Sequence, residues 1–250
     1  MGIEIFIYFA TLNNKTMKSL MAFCLLVTAI VFTQFTHAQT ADEIIDKYIT
    51  AMGGKEKLVS LKTIKMEGNL TVQGTDIAMV ITKKHLVGMR IDISVMGTEN
   101  YQIITPAKGT VFMPVQGMSA PTAMPDDQFK AIQPQLDLQG VLVDYKNKGT
   151  TVELLGNEKV DGEDCYNIKV TSSSGVVTNY FISAKTFFII KTSGKRLMNG
   201  EEVDVTTSYS NYKQNGDGFL FPYSTTNMQG TTDYSKIDTN VPVDESIFKQ

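Results

Sequence analysis

Residues 64–95, IKMEGNLTVQGTDIAMVITKKHLVGMRIDISV, decide the fold class of this 250-residue chain. In this stretch apolar side chains take every second position in three successive runs: Ile64, Met66, Leu70 and Val72; Ile77, Met79 and Ile81; and Val87, Met89, Ile91, Ile93 and Val95. A period of two places the apolar side chains on one face of a strand and the polar ones on the other. The stretch therefore predicts antiparallel strands with one covered face and one wet face.

The strand pattern continues towards the C-terminus. Further alternating runs, joined by short turns, bring the prediction to about ten or eleven strands, and Asp161-Gly162 between two of them is a strong hairpin signal. Helices do not alternate with the strands, as a parallel sheet would require. A sheet this long must curl, split into two layers or close into a barrel. The predicted fold class is α+β, mostly β: a long, curved antiparallel sheet with a few helices on one side.

Helical signals lie at two places outside these runs. Thr40 and Glu43 form a capping-box pattern before a helical apolar face, and Gly53-Gly54 ends that helix. A second short helical segment is expected at 55–61. Between 118 and 141 three prolines interrupt the strand rhythm, and Asp126 is predicted to cap a helix that carries Phe129 and Ile132.

Residues 1–38 have the pattern of a cleaved secretory signal peptide. Lys18 precedes the apolar run 20–35, and Ala38 ends a small-residue cleavage site. Met17 is the expected true start. A membrane anchor is the competing interpretation, but a span needs about 20 apolar residues and this run is shorter. We therefore expect residues 39–250 to form a single exported domain.

Composition excludes several classes of function. The 23 basic and 26 acidic residues leave a formal charge of −3, without the basic excess typical of nucleic-acid binding. Residues 39–250 hold one cysteine, Cys165, and one histidine, His85. We expect Cys165 to be a small buried side chain and His85 a solvated residue at a strand end. Because no catalytic or metal-binding motif is present, we predict a protein that is not an enzyme and has no metal or cofactor.

Methionines mark the predicted covered face. Met66, Met79, Met89 and Met113 fall at inward-facing strand positions. Methionine is flexible and polarizable, so it fills irregular cores and also lines surfaces that accept varied apolar partners. Composition alone leaves both interpretations open: an irregular core, or an adaptable pocket for acyl chains.

Five stretches resemble a family of exported Bacteroidota proteins described as outer-membrane lipoprotein-sorting proteins, related to the periplasmic carrier LolA and the receptor LolB. The stretches are TADEIIDKYITAMGGKEKL (40–58), LVDYKNKG (142–149), VELLGNEKVDG (152–162), NGDGFLFP (215–222) and VPVDESIF (241–248). The resemblance implies an unclosed β-barrel in the periplasm, with helices as a lid over a hydrophobic cavity. It also implies lipoprotein acyl chains or another lipid as ligand, and the sorting machinery of the inner or outer membrane as partner. We expect a monomer that does not bind nucleic acid.

Site residues follow from the alternation and the resemblance together. The predicted apolar lining consists of Met66, Leu70, Met79, Ile81, Met89, Ile91, Val111 and Met113. The predicted contacts to the lid or to a partner are Ile45, Ile49, Lys83 and Lys84. The lysine pair lies where LolA carries a basic pair, one arginine of which helps to latch the lid; here lysine replaces arginine, and the chain has no tryptophan. Lysine cannot make the planar hydrogen-bonding fork of arginine.

A second function class stays open at this point. The resemblance also implies an association of related segments with exported peptidases, which favours an accessory protein that binds a partner of such a system. In that case the interior of the sheet would be packed by its own side chains and would hold no ligand.

Overall fold

A computed structural model describes residues 39–198 and 200–249, so the predicted signal peptide lies outside the described residues. The described chain forms a single antiparallel sheet of 13 strands in which β1 and β13 lie next to each other. The strands are β1 (Thr63–Val72), β2 (Thr75–Lys84), β3 (Gly88–Val95), β4 (Thr98–Ile104), β5 (Gly109–Phe112), β6 (Thr122–Ala123), β7 (Thr151–Val160), β8 (Glu163–Thr171), β9 (Val177–Ser183), β10 (Ile189–Met198), β11 (Glu201–Gln214), β12 (Leu220–Asn227) and β13 (Gly230–Thr239).

The order of strands in the sheet explains how the open side is covered. The order is β6-β5-β4-β3-β2-β1-β13-β12-β11-β10-β9-β8-β7, so the two edge strands, β6 and β7, follow one another in sequence. The connection between them, residues 124–150, must therefore pass from one edge of the sheet to the other. We call residues 124–150 the strap. It contains helix α3 (Asp126–Ile132) and a 3-10 turn at Gln133–Leu136.

Contacts of the strap show that the sheet is strongly curved. Phe129 of α3 lies beside Gly109 at the start of β5, and α3 also contacts β10. In the sheet, β5 and β10 are separated by seven other strands. One short helix can reach both only if the sheet curls around it. We call the side that faces the strap the concave face.

Two helices precede the sheet. Helix α1 (Ala41–Ala51) begins at Thr40, whose side chain accepts from the Glu43 amide while the Glu43 carboxylate accepts from the Thr40 amide. Helix α2 (Lys55–Ser60) follows two glycines with positive φ. Ile44 of α1 is fully buried in a cluster with Leu142 of the strap and Ile168 and Ile182 of the sheet. Helix α1 therefore covers the β7–β9 end of the sheet. Among the described residues, none of the helices has the length and apolar character needed to cross a membrane.

The sequence-based fold class is confirmed: the protein is mostly β, with an unclosed antiparallel sheet and a few helices. The Asp161-Gly162 hairpin is present, with positive φ at both residues. Two details differ from prediction. The sheet has two or three more strands than expected, and Pro125 rather than Asp126 occupies the N-cap of α3, without a side-chain capping bond.

Gly68 allows the first and last strands to approach each other. The register of β1 against β13 shifts between Glu67 and Gly68. A Cβ at Gly68 would lie 2.8 Å from Tyr234 Cα and closer still to the carbonyl oxygen of Asp233. Both are backbone atoms, which cannot rotate away as a side chain can.

We expect the substitution Gly68→Ala to lower the free energy of unfolding by about 2 kcal/mol, because overpacking against backbone forces the strands apart. Urea unfolding followed by circular dichroism measures this. Gly216→Ala is the matched control, since Gly216 has no atom within 4 Å of an added Cβ and its φ is not positive. Equal unfolding midpoints for the two variants would show that the β1–β13 contact does not need glycine.

Candidate functional site

The register places the predicted apolar lining of β1–β3 on one face. Met66 pairs with Ile81, which pairs with Ile91, and paired residues in antiparallel strands point to the same side. Met79 and Met89 share that side because they lie two positions from Ile81 and Ile91. The face is the concave one, since Met66, Met79, Ile81, Met89 and Ile91 pack in one cluster with four strap residues, Met124, Phe129, Ile132 and Leu136.

The lining residues differ in how deeply they are buried. Met89 is completely buried, and Ile81 and Met113 are 8% and 9% exposed. Five remain partly buried: Met66, Leu70, Met79, Ile91 and Val111. Met113 follows the end of β5, where its amide lies 3.3 Å from Met118 Sδ, and it is not in the cluster under the strap. Met89 thus serves as core in this conformation, whereas Met79 retains accessible surface.

The two predicted lid isoleucines lie on the inner side of α1. Ile45 is 1% exposed and belongs to the cluster that α1 forms with β8 and β9. Ile49 is partly buried and contacts both that cluster and a second one, built from Met52, Leu58 and Val143. Both isoleucines therefore hold α1 against the strap and the sheet.

The two predicted lid lysines point to opposite faces of β2. Lys83 pairs with Met89 on the concave face, and its Nζ lies 3.4 Å from Oε1 of Gln135 in the strap. Loss of hydration lowers the pKa of Lys83 to about 8. Lys84 lies on the other face, where its Nζ is 2.5 Å from Glu245 near the C-terminus. Of the pair, Lys83 contacts the strap and Lys84 does not.

His85 is tied to the strap. Its Nδ1 accepts a hydrogen bond from the Leu138 amide at 3.2 Å, and the Leu86 amide donates to the Leu136 carbonyl at 2.9 Å. The His85 side chain is 17% exposed, so the expectation of a solvated strand-end residue is wrong. A turn residue next to two lysines gave no sequence signal for this contact, because its partner lies 53 positions away.

A band of hydroxyl side chains crosses the concave face between its two apolar regions. We call it the hydroxyl band: Tyr180, Thr192, Thr207, Tyr209, Thr225 and Thr232, on strands β9 to β13. Threonine and tyrosine are ordinary strand residues on either face of a sheet. Sequence reasoning therefore missed the band, and only the register reveals it.

An open pocket of about 370 Å³ lies elsewhere, at the N-terminus of α1. It is lined by residues 40–42, 145–146 and 150–152, and the Asp42 carboxylate accepts from Tyr145 and Lys146 there. Those two hydrogen bonds lower the pKa of Asp42. The lining contains none of the predicted apolar lining residues.

Groups able to carry out chemistry are scarce in the described part of the chain. Within residues 39–198 and 200–249, no three His, Cys, Asp or Glu side chains come together in a way that could hold a metal. Cys165 is buried, and loss of hydration raises the pKa of its thiol to about 11, so it remains a protonated thiol at neutral pH.

The His85 contact predicts a pH dependence of stability. Desolvation lowers the pKa of His85, and the positive charges of Lys62 and Lys148 lower it further. Asp137 opposes this shift, because its Oδ1 lies 3.7 Å from Nδ1 of His85. Because the folded-state pKa lies below the unfolded value of about 6.5, the unfolded chain binds the proton more readily. The contribution of His85 is therefore complete above pH 6.5 and is lost as pH falls through the lower folded-state pKa.

We expect His85→Asn, which keeps an acceptor but does not titrate, to remove this dependence. Unfolding free energies of wild type and variant, measured by urea at a series of pH values, give the comparison. The difference between them should be constant above neutral pH and should shift in favour of the variant in acid. If the difference in unfolding free energy does not change with pH, then either His85 stays uncharged or its charge does not affect stability.

Comparisons with known proteins agree on the fold. Neither a family model nor a curated protein sequence matches the chain. A LolA superfamily protein from Nitrosomonas europaea superimposes with a TM-score of 0.55 at 16% identity, over 85% of this chain and 99% of that one. A domain from Vibrio parahaemolyticus described as an outer membrane lipoprotein-sorting protein gives 0.51 at 15% identity, over 83% and 95%. The chain therefore has the LolA-like fold, an unclosed, curved antiparallel sheet with covering helices.

Proposed function

We propose that the protein binds a lipid or the acyl chains of a lipoprotein in the periplasm, without catalysing a reaction. The observation that carries this proposal is the partly buried, methionine-rich part of the concave face beneath the strap. Met66, Met79 and Ile91 keep accessible surface there although they lie inside the curve of the sheet. Each methylene that leaves water in such a place contributes about 0.8 kcal/mol.

The structural comparisons also support this proposal. Two structures that share this fold are described as a LolA superfamily protein and a lipoprotein-sorting domain. If this chain carries lipoproteins, it exchanges them with the sorting machinery of the inner or outer membrane, and it acts as a monomer. Export through the signal peptide at 1–38 would bring it to that compartment.

Access to the concave face would require the strap to move. Its inner contacts are apolar, through Met124, Phe129 and Leu136, and its polar contacts to β2 and the following turn run through Lys83, His85 and Leu86. A lidded cavity needs a cover that is stable when closed and inexpensive to open. Apolar contacts that a bound acyl chain can replace fit that requirement, because the chain would offer the same strap residues a new apolar surface.

Met79→Gln tests the binding face. An amide placed there would lack hydrogen-bond partners, so we expect the affinity for a fluorescent fatty-acyl probe to fall about tenfold or more. Met79 pairs with Gly68 on the neighbouring strand and retains accessible surface. A polar side chain at this position should therefore be compatible with folding, which circular dichroism would show.

Met96→Gln is the matched control, because Met96 is 98% exposed at the β3–β4 turn. Its probe affinity should equal that of the wild type. If Met79→Gln also leaves the affinity unchanged, or if the wild type takes up no probe, the concave face is an ordinary core. The accessory partner-binding function would then take first place.

Lys83→Met tests the strap contact. The substitution removes the hydrogen bond to Gln135 and the cost of keeping a charge on the concave face, at nearly constant side-chain length. We expect the protein to remain as stable as the wild type and the acyl probe to enter faster in stopped-flow fluorescence. Lys84→Met, on the opposite face, should leave the entry rate unchanged. Equal entry rates for both variants would mean that Lys83 does not restrain the strap.

A further inference from the structure

The hydroxyl band is continuous across five strands. Tyr180 pairs with Thr192 and Thr192 with Thr207; on the same face, Tyr209 pairs with Thr225 and Thr225 with Thr232. At one end Thr232 pairs with Leu70 of the methionine-rich region, and at the other Tyr180 pairs with Ile168 of the cluster under α1. The interior of the curve is therefore apolar, then hydroxyl-lined, then apolar again.

Helix α1 adds one more hydroxyl from above. Tyr48 packs against the buried cluster that contains Ile168 and Ile182. Loss of hydration raises the pKa of Tyr48 to about 12 and also raises that of Tyr180, and the neighbouring Tyr209 hydroxyl adds to both shifts. The hydroxyls of Tyr48 and Tyr180 are therefore protonated at neutral pH and can donate hydrogen bonds.

Two of the three tyrosine hydroxyls, those of Tyr48 and Tyr180, lack partners in the described part of the chain. Tyr209 and Thr192 lie 3.3 Å apart, and the nearby Tyr212 hydroxyl donates to the Ile189 carbonyl at 2.7 Å. By contrast, the hydroxyls of Tyr48 and Tyr180 have no hydrogen-bond partner among residues 39–198 and 200–249, and neither is fully enclosed. Because neither hydroxyl is fully enclosed, each can pair with water or with a ligand, as polar groups in proteins normally do.

Resting on the proposed function, we infer that the hydroxyl band and Tyr48 bind the ester or amide carbonyl groups of an acyl-linked lipid whose chains lie on the neighbouring apolar regions. A carbonyl accepts hydrogen bonds and has no proton to donate, which matches a set of free donors. Acyl chains alone would leave Tyr48 and Tyr180 unpaired. A dialkyl ether lipid lacks the carbonyls, and its ether oxygens are weaker hydrogen-bond acceptors, so it would pair these hydroxyls poorly.

The test compares a short-chain diacyl phosphatidylcholine with its dialkyl ether analogue, using competition against the fluorescent acyl probe. We expect the wild type to prefer the ester, by about fivefold for each hydroxyl engaged. Tyr48→Phe and Tyr180→Phe should each lose about fivefold in ester affinity and much less in ether affinity. Tyr101→Phe, whose hydroxyl lies on the opposite face of the sheet, is the matched control and should keep the full preference.

A second pair of ligands identifies the source of the carbonyl. A diacylglyceryl-cysteine peptide and its dialkyl counterpart are measured in the same way. The affinities of the two ester ligands are then compared, and the ester with the higher affinity shows whether a lipopeptide or a phospholipid is preferred. Equal binding of ester and ether by the wild type, or a preference that survives in both tyrosine variants, would overturn the hydroxyl proposal and leave lipid binding intact. Failure of all four ligands to bind the wild type would overturn the proposed function itself, and with it the hydroxyl proposal.

Discussion

The pairing of the first strand with the last is the constraint on which the rest of the structure depends. Because β1 and β13 lie side by side in the middle of the sheet, the chain must grow outward in both directions, and its two edges, β6 and β7, become neighbours in sequence. A covalent connection between the two edges of a curled sheet has to cross the opening. The cover over the concave face is thus a consequence of topology, and the closeness of Gly68 to the Asp233–Tyr234 backbone is the local condition for it.

Because the strap is fixed at both ends, its middle determines how tightly the face is closed. That middle lacks long regular elements: a helix of seven residues leads into a 3-10 turn and then a series of turns. The backbone hydrogen bonds within this segment are local turn bonds, such as the one from the Asn147 amide to the Asp144 carbonyl. Its position over the sheet therefore depends on what it packs against. Here they pack against Met89 and Ile104 of the sheet and are anchored to the β2–β3 turn through His85 and Leu86. In the proposed function, a ligand of similar apolar character would contact the same strap residues that now cover the core.

Sequence reasoning could predict the local features and not the distant ones. Alternation between Ile64 and Val95 and the Asp161-Gly162 turn follow from rules that act within a few residues, and the structure contains both. The same period of two also predicted the face of the sheet on which Met66, Met79 and Met89 lie. By contrast, the β1–β13 pairing, the strap contact of His85 and the Lys84–Glu245 pair join residues from 53 to more than 160 positions apart. Neither spacing nor composition at one site carries information about a partner so distant.

The concave face differs from an ordinary protein core in the polar groups that it holds. A face that only needs to be packed is best filled by aliphatic side chains, with every buried polar group paired. This face instead holds Lys83, whose pKa is lowered to about 8 by loss of hydration, and the hydroxyl of Tyr180. Like the Tyr48 hydroxyl on α1, the Tyr180 hydroxyl has no hydrogen-bond partner among the described residues. Natural proteins depart from these packing and pairing rules mainly where function requires it. They can do so because selection does not favour stability beyond the level that the protein needs. An amphipathic ligand would resolve the conflict, because its chains would complete the methionine-rich region while its carbonyl groups would pair the free hydroxyls.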